Sequence, residues 1–454
     1  MQLTLLFLAI LAVRWTAHVA LTRHCARENP GDVITVVLLA AYLMLGGMAF
    51  AVGTIDWLAV ALLGSGALLR IGGIFQLRKN FAYSAAPGAD IRLIDSGLYG
   101  VHRNPLLLGY ALELIAFVVA LPIGFVSTIA LAAFCLFICA WHAAEDNKQL
   151  LLHIQGYPDY ATRVGNAVLD WVWPAKARLI DNERMSFDTY GLYIFIGFLA
   201  AQIATTGYGL DPFIHLAVMP AAVIGAFGYW RLTRRDKNVK FGFAFFGGLM
   251  GASAAALLFL HFTDSLNLHA LNLLGLGVAL GHGIGRFGCI GHGCCTGRDM
   301  GAPLPLVVLY PDPKQRINRV LGRDHSYCFP TVVLEILGQT LIVLLIGFFL
   351  ERGISIWMLG YGTLRMLTQS VRREAGDITR IIPAGVLIAA GAGLLALPAG
   401  ESAYVFIAPN GMELFMAVGI SAMAAISYGF RLKQAPAMAL AESPAGDDPA
   451  LSAD

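Results

Sequence analysis

The feature that most constrains this chain is a series of about thirteen apolar runs, most of them close to 20 residues long. About 20 apolar residues in a helix are needed to cross the roughly 30 Å of hydrocarbon in a bilayer. Inside hydrocarbon the backbone must satisfy its own hydrogen bonds, so runs of this length predict helices. The runs lie near 2–20, 33–53, 55–71, 105–121, 123–142, 189–206, 212–231, 241–262, 266–286, 330–350, 353–371, 381–398 and 408–431. The predicted fold class is all-α, a polytopic integral membrane protein with about 13 transmembrane helices.

Composition supports this prediction and narrows the classes of function. The chain has 454 residues, of which 57% are hydrophobic and 13% are charged, whereas a soluble domain carries about 25% charged residues. The formal net charge is +2, which is too small to indicate a nucleic-acid partner. The first apolar run leads directly into a basic stretch, which is typical of a retained signal anchor.

Two polar breaks divide the chain. The first, 143–188, is rich in charged and aromatic residues, and the second, 287–329, is a long loop that begins with glycines and cysteines. A loop of that length is usually functional or disordered. We therefore predict a first membrane module over 1–180, a second over 186–434, and a disordered tail over 435–454.

The second break begins with an unusual group of residues. Between 285 and 298 lie two arginines, a histidine, three cysteines and five glycines, directly after an apolar run. A charge at the membrane boundary is a functional candidate by default. Arg286 and Arg365 both lie within or at the end of apolar runs, so we expect them to line one cavity with Tyr190 and to need an anion. Glu335 is available to one of them, and a phosphate headgroup held by two hydrogen bonds would serve the other or both.

Three interpretations of the cysteine group remain open. His282 precedes Arg286 by four residues, so both side chains are expected on one helix face. Cys294 would be a reactive thiolate if Arg286 and Arg298 lowered its pKa. A metal site and a disulfide to Cys328 are the alternatives. No metal is expected, because the spacing is not a zinc-finger pattern and adjacent cysteines do not easily bind one ion together.

Polar residues in the first half suggest a different pocket. One block spans 97–109, an apolar hairpin follows, and a second block spans 145–164. The hairpin would bring both blocks to one membrane face. Carboxylates, an arginine and aromatic rings suit a zwitterionic ligand that bears an adenine ring. The alternative is that these residues are helix caps and interfacial anchors.

This arrangement, over about 75–175, resembles the isoprenylcysteine carboxyl methyltransferase and phospholipid methyltransferase families. The order and spacing of the motifs match, while Leu98, Asn104 and Leu107 depart from a proline, a histidine and a tyrosine in the family pattern. The resemblance implies S-adenosyl-L-methionine as the cofactor. The residues that it implies as contacts are Arg103, Asn104, Pro105, Glu145 and Asp146.

The second half, over about 186–431, resembles prolipoprotein diacylglyceryl transferase, a family that moves a diacylglyceryl group from phosphatidylglycerol to a lipoprotein cysteine. Matched positions are Tyr190, Gly247, Gly248, Arg286, Gly288, Gly297, Pro330, Glu335 and Arg365. Departures are Phe246 and Phe329 for two histidines, Cys289 for an asparagine, and Cys294 and Gln369 for two glutamates. The resemblance, with the nearby proton-transfer candidates, implies catalytic roles for Arg286, Arg365, Tyr190, His282 and Cys294. It implies lipid-binding roles for Gly247, Gly248, Gly297 and Glu335.

The predicted function is therefore that of a lipid-modifying transferase with a phosphatidylglycerol-type donor and a fused methyltransferase-like module, in the bacterial inner membrane. The alternative is a lipid-binding or lipid-transport protein that has lost its chemistry. The family has the cysteine loop outside the cell, whereas the Lys/Arg excess in 287–329 predicts a cytoplasmic loop. We therefore expect both sites on one face and a lipid rather than a secreted protein as acceptor.

Overall fold

The protein is described by a computed structural model. The described residues are 2–22, 33–52, 54–77, 93–174, 176–182, 184–233, 245–304, 306–372, 378–398 and 404–432. The tail predicted to be disordered, 435–454, lies outside the described residues.

The described chain is built almost entirely of helices. The first half contains α1 (Gln2–Thr22), α2 (Val33–Val52), α3 (Trp57–Leu77), α4 (Leu98–Val101), α5 (Pro105–Ala120), α6 (Phe125–His153), α7 (Tyr157–Arg163) and α8 (Ala167–Val172). The second half contains α9 (Thr189–Gly207), α10 (Ile214–Thr233), α11 (Phe245–Phe262), α12 (Leu268–His292), α13 (Arg316–Leu321), α14 (Thr331–Phe348), α15 (Gly353–Gln369), α16 (Ile378–Leu395) and α17 (Gly411–Gly429). Each of the thirteen predicted runs coincides with one of these helices.

Seven of the described helices are long and apolar enough to cross a membrane: α3, α6, α9, α11, α12, α14 and α17. Shorter apolar helical stretches lie in α1, α2, α5 and α16. The prediction of an all-α polytopic membrane fold is confirmed.

Three helices extend six or more residues beyond their predicted ends: α3 to Leu77, α6 to His153 and α12 to His292. α6 continues to His153 because residues after Trp141 include alanine, glutamate, lysine, glutamine and leucine, all of which favour helix. α12 continues to His292, where Gly293 ends it with a φ of 66°, a conformation that glycine adopts without steric cost. Arg286 was predicted where the helix should stop. It lies instead inside α12 and is buried.

Close helix packing in the second module depends on glycine. A β-carbon on Gly197 of α9 would lie 2.7 Å from the carbonyl oxygen of Gly281 on α12. A β-carbon on Gly225 of α10 would lie 2.3 Å from the carbonyl oxygen of Gly247 on α11. Such contacts are typical of membrane helices, whose association depends on close packing rather than on a hydrophobic driving force.

The two modules share one core. Phe137 on α6 packs edge-on against Phe287 on α12, with ring centroids 5.5 Å apart, and stacks on Trp173 at 5.9 Å. α6 also packs along α14, where a β-carbon on Gly347 would meet the hydroxyl of Ser127 at 2.3 Å. The second polar loop therefore lies on the first module and is not a free linker.

Two small antiparallel sheets lie in and beside the two polar breaks. β1 (Arg178–Asp181), β2 (Met185–Asp188) and β5 (Phe430–Leu432) form an antiparallel sheet in the order β1-β2-β5. Within the cysteine loop, β3 (Val308–Tyr310) pairs with β4 (Ser326–Cys328) and α13 lies between them in sequence. Lys148 on α6 donates hydrogen bonds to the carbonyl oxygens of Leu304 at 3.1 Å and Val307 at 3.2 Å. The two polar breaks thus lie together on one face, as predicted.

Candidate functional site

The centre of the second module is a buried carboxylate surrounded by arginines. Nη1 of Arg286, on α12, lies 2.8 Å from Oε2 of Glu335, near the start of α14. Nη1 of Arg365, on α15, lies 3.4 Å from Oε1 of the same carboxylate. All three side chains are buried. The prediction that the two arginines lie close together is confirmed.

The expectation that Glu335 would serve only one arginine is wrong. The carboxylate pairs with both, and a third arginine, Arg372, also contacts its Oε1 atom. Arg372 was not among the predicted site residues. It lies three residues beyond the end of α15 and forms an isolated β-bridge with Gly297, so helical spacing from Arg365 does not place it at the cluster. The hydroxyl of Thr368 donates a further hydrogen bond of 3.0 Å to Oε1.

The charge of this cluster, hereafter the arginine cluster (Arg286, Glu335, Arg365 and Arg372), is unbalanced. Three guanidinium groups meet one carboxylate, which leaves two positive charges. A charge removed from water is costly unless it is paired. The cluster is therefore arranged for an anion, and a carboxylate at its centre holds the arginines in position.

Several buried polar atoms around the cluster have no hydrogen-bond partner among the described residues. They are Arg286 Nε, Arg365 Nε, His282 Nε2, Thr331 Oγ1 and Gln339 Oε1. Buried polar atoms are nearly always hydrogen-bonded, and an exception calls for a water, an ion or a ligand. Donors and acceptors are both present, so a phosphodiester with neighbouring hydroxyl groups would match the set.

His282 lies beside the cluster, as its spacing predicted. Its ring stacks on Phe245 at 4.2 Å, its Nδ1 atom lies 3.0 Å from Nε2 of Gln339, and Tyr361 meets it edge-on at 4.7 Å. Sequence reasoning missed Tyr361, a fully buried residue one helical turn before Arg365. Phe246, which replaces a family histidine, is buried with its ring 6.5 Å from that of Tyr361. An apolar ring thus stands near the cluster where the family has an acid–base group.

Tyr190 has a different neighbourhood from the one predicted. It packs against the end of α12, where a β-carbon on Gly288 would meet its ring at 3.0 Å. Its ring centroid lies 6.1 Å from that of His292, and it packs against the same buried core as Cys294 and Cys295. The described contacts place it beside the thiols, and none of them joins it to Arg365.

Three thiols converge at the end of α12. The Sγ atoms of Cys289, Cys294 and Cys295 all lie within 4.8 Å of one another. No disulfide occurs among the described cysteines, including Cys328, which lies in β4. We refer to the three thiols below as the thiol triad.

Within the triad the anionic position differs from the predicted one. Hydrogen bonds from the thiols of Cys289 and Cys294, and then the charges of Arg286 and Arg372, hold the pKa of Cys295 well below its usual value. The hydrogen bond from Cys289 lowers the pKa of Cys294. The bond that Cys294 donates to Cys295 and its burial outweigh that effect and raise the pKa to about 12. Arg298 instead donates to the backbone carbonyl of Ser370. The pKa is therefore lowered for the thiol of Cys295 and raised for that of Cys294.

The predicted glycines fall into two groups. A β-carbon on Gly247 would meet Gly225 and Tyr229 of α10, and Gly248 faces Ala222 of the same helix, so these two glycines serve helix packing. Gly297 lies at the cluster, since it forms an isolated β-bridge with Arg372. A β-carbon there would lie 2.5 Å from the hydroxyl of Thr331.

In the first module the two polar blocks meet, as predicted. Nη2 of Arg103 lies 2.9 and 2.8 Å from the two carboxylate oxygens of Asp170, and the hydroxyl of Tyr160 donates to the carbonyl of Tyr99 at 2.7 Å. The charges expected to bind a cofactor are paired within the chain. Glu145 lies 2.7 Å from Lys148, and Asp146 lies 3.1 Å from the ring of His142.

The remaining predicted residues lie where α5 begins. Pro105 is its first residue, a position where the missing N–H is not needed. Asn104 precedes it, and its Oδ1 atom is buried without a partner among the described residues, as is Oδ1 of Asn166. Two amide oxygens are thus available to donors such as an adenine amino group.

Sequence reasoning also missed a buried carboxylate in the first module. Glu113 on α5 is fully buried and pairs with Arg14 at 3.2 Å and Arg70 at 3.5 Å. The guanidinium of Arg70 lies over the ring of Tyr110 at 4.2 Å. Single charges inside three apolar runs were the signal that could have revealed this group.

Comparison with known proteins bears on the second module. Residues 177–397 match the family model of prolipoprotein diacylglyceryl transferase. The phosphatidylglycerol–prolipoprotein diacylglyceryl transferase of Clostridium tetani is 23% identical over 210 residues, which cover 41% of this chain and 80% of that protein. The resemblance to this family is supported for a domain in the second half, and the match begins at residue 177, at the end of the first module. A membrane lipid transferase is the class of protein to which these findings point.

Proposed function

We propose that the second module binds the headgroup of a phosphatidylglycerol-type phospholipid and transfers its diacylglyceryl or glyceryl group to an acceptor. The observation that carries this proposal is the arginine cluster, in which three buried arginines share one carboxylate. A phosphodiester supplies the negative charge that the cluster lacks. The name of the similar protein from Clostridium tetani supports the choice of donor.

The cluster also suits the chemistry of the transfer. When the bond between the glyceryl carbon and the phosphate oxygen breaks, the phosphate gains negative charge. Guanidinium groups held in place before the reaction stabilise such charge most effectively, because they need no reorganisation. The carboxylate of Glu335 is a positioning group in this proposal, since it would repel a phosphate directly.

The proposal is tested by measuring lipid binding and group transfer by the purified chain in nanodiscs. Phosphatidylglycerol should bind in preference to phosphatidylcholine, and Arg365→Lys should weaken that preference by at least about tenfold, because Lys lacks the guanidinium fork. Arg323→Lys, on the exposed surface of the cysteine loop and paired with Asp299, is the matched control. Equal binding of both lipids by the unaltered chain would overturn the proposal.

Activity separates this proposal from a lipid-binding protein without chemistry. Intact-mass lipidomics of the host, with and without the chain, should show loss of a glyceryl or diacylglyceryl increment in one product. Binding without any such product would favour the lipid-binding alternative. We place the protein in the bacterial inner membrane, the location expected from its resemblance to this transferase family.

A second candidate function concerns the first module, for which we propose binding of S-adenosyl-L-methionine. Support comes from the meeting of the two polar blocks and from the unpartnered oxygens of Asn104 and Asn166. Calorimetry should detect binding, and Glu145→Ala or Arg103→Ala should weaken it by about 1.5–3 kcal/mol. Absence of binding to the unaltered chain would remove this candidate and would leave the arginine cluster untouched.

A further inference from the structure

The thiol triad is separate from the arginine cluster, and two unusual backbone turns hold its cysteines together. Gly293 ends α12 with a φ of 66°, and Cys295, two residues later, has a φ of 57°. Positive φ is unusual for a residue other than glycine. These two turns bring two adjacent cysteines back toward Cys289, a convergence that their adjacency alone argued against.

The turn is held from both sides. The carbonyl of Cys289 accepts hydrogen bonds from the amides of Gly293 at 3.0 Å and Cys294 at 3.3 Å. The side chain of Gln315 donates to the carbonyl of Gly291 at 3.1 Å, and the amide of Ile317 donates to that of Gly293 at 3.1 Å. The thiols therefore sit on a helix end clamped by the following loop, the kind of rigid support that a binding site needs.

We propose that Cys289, Cys294 and Cys295 bind one zinc ion, and that the open fourth position of this ion binds the thiol of the acceptor. The proposal rests on the transferase function proposed above for the same module.

The geometry of the triad fits zinc. A zinc ion about 2.3 Å from each of three sulfurs requires sulfur–sulfur distances of roughly 3.8–4.0 Å. All three separations are already within 4.8 Å, so the thiols need to close by less than about 1 Å around the ion. Cys289 is buried whereas Cys294 and Cys295 are partly buried, so a fourth ligand would approach from the side of Cys294 and Cys295. Three protein ligands with an open position are typical of catalytic zinc.

Charge favours zinc over monovalent copper. Thiolates select both ions, but three thiolates carry a charge of −1 with Zn²⁺ and −2 with Cu⁺. The arginine cluster has an excess of two positive charges. Before the acceptor thiol binds, the cluster, the zinc site and one phosphodiester together are neutral, whereas copper at the same stage would leave an excess negative charge.

The zinc site would also replace a missing base. The family's histidine is Phe246 in this chain, so the acceptor thiol needs another means of losing its proton. A thiol that coordinates zinc is deprotonated outright. The acceptor thiol releases its proton to water as it binds zinc, and its sulfur then forms a bond to the glyceryl carbon of the donor. The bond from that carbon to the phosphate oxygen breaks, and the phosphate leaves with the electron pair beside the arginines.

The first test is metal content of the full chain purified in detergent without chelator. About one zinc per chain is expected, and Cys289→Ser and Cys295→Ser should each reduce it at least fivefold. Cys135→Ser and Cys139→Ser, in buried positions of α6, are the matched controls and should retain zinc. Zinc that is absent, or unchanged in Cys289→Ser and Cys295→Ser, would overturn the proposal, and so would one equivalent of copper in its place.

A second measurement does not depend on the folding of variants. The unaltered chain is stripped of metal, reloaded with Co²⁺ and titrated with a cysteine ester as the thiol probe. The thiolate-to-cobalt absorption should increase by about one third as a fourth sulfur binds. An unchanged spectrum at saturating thiol would contradict the open position.

The two proposals fail separately. Arg365→Lys should lose its preference for phosphatidylglycerol and keep zinc, whereas Cys295→Ser should lose zinc and keep that preference. If the unaltered chain binds zinc but shows no lipid preference, the metal site is supported and the transferase role is not. Zinc that disappears in Arg365→Lys would contradict the separate thiol site.

Discussion

Nη1 of Arg286 lies 2.8 Å from Oε2 of Glu335 in the buried centre of the second module. The same carboxylate also contacts Arg365 and Arg372, so one residue holds three helical or loop segments together. An intact buried ion pair contributes little net stability to a fold. Removing one partner from a buried charge network nevertheless destabilises the fold strongly, because the remaining charges are left uncompensated.

Glu335→Gln should therefore lower the free energy of unfolding by about 3–5 kcal/mol, the usual effect of breaking a buried pair. Thermal unfolding in detergent measures this loss, and Glu351→Gln, which alters a carboxylate outside the cluster, is the control. Phosphatidylglycerol should restore more stability to Glu335→Gln than phosphatidylcholine does, because a phosphate can replace the lost negative charge. Equal effects of the two lipids would argue against a phosphate at this position.

Lys148 couples the two modules and provides a second prediction. Its ammonium is buried, lies 2.7 Å from Glu145 and donates to two carbonyls of the cysteine loop. Lys148→Met should cost about 3–5 kcal/mol of stability, since Glu145 would remain buried without its partner. Lys314→Met removes an exposed pair with Asp181 and should cost less than about 1 kcal/mol. Comparable losses in the two variants would show that the buried contact does not hold the modules together.

The fold was largely predictable because apolar length is a local signal. Each predicted run became a helix, and errors fell at ends such as 287–292, where α12 continues despite Gly288 and Gly291. The proximity of Arg286 and Arg365 was predictable because each buried charge requires an anionic partner. The sharing of Glu335 among three arginines was not, since it depends on how α12, α14 and α15 meet. The convergence of Cys294 and Cys295 on Cys289 depends on positive φ angles at Gly293 and Cys295. A cysteine in the sequence does not predict a positive φ.

Gly297 tests the loop that lies over the cluster. A β-carbon there would lie 2.5 Å from the hydroxyl of Thr331 and 2.6 Å from the carbonyl oxygen of Phe329. Gly297→Ala should lower stability by about 1–3 kcal/mol, the usual effect of overpacking. Gly419→Ala, in α17 with open space around the position, should be neutral or stabilising by up to about 1 kcal/mol. A stable Gly297→Ala chain with unchanged lipid preference would show that the loop adjusts freely.

Orientation is the last prediction, and the structure sharpens the charge argument for it. Outside the long helices, the described segments on the face of the cysteine loop carry twelve lysines and arginines: Arg103, Arg163, Lys176, Arg178, Arg184, Arg298, Lys314, Arg316, Arg319, Arg323, Arg372 and Arg431. The loops on the opposite face contact one another. The rings of Phe125 and Phe406 stack with their centroids 4.3 Å apart, and the amide of Thr54 donates a hydrogen bond of 2.8 Å to the carbonyl of Ala120. Among the described residues of those opposite loops, Arg352 is the only lysine or arginine.

Lysine and arginine in short loops favour the cytoplasm, so we expect the cysteine loop and both candidate sites to face it. The acceptor thiol would then belong to a lipid or small molecule rather than to an exported protein. Cys328 is fully buried, so labelling should use introduced cysteines. Val320→Cys and Phe213→Cys suit this purpose, at positions 58% and 56% exposed in native form. A membrane-impermeant maleimide on intact cells should label Phe213→Cys strongly and Val320→Cys only after permeabilisation. The reverse pattern would place the loop outside and make an exported prolipoprotein cysteine the better acceptor.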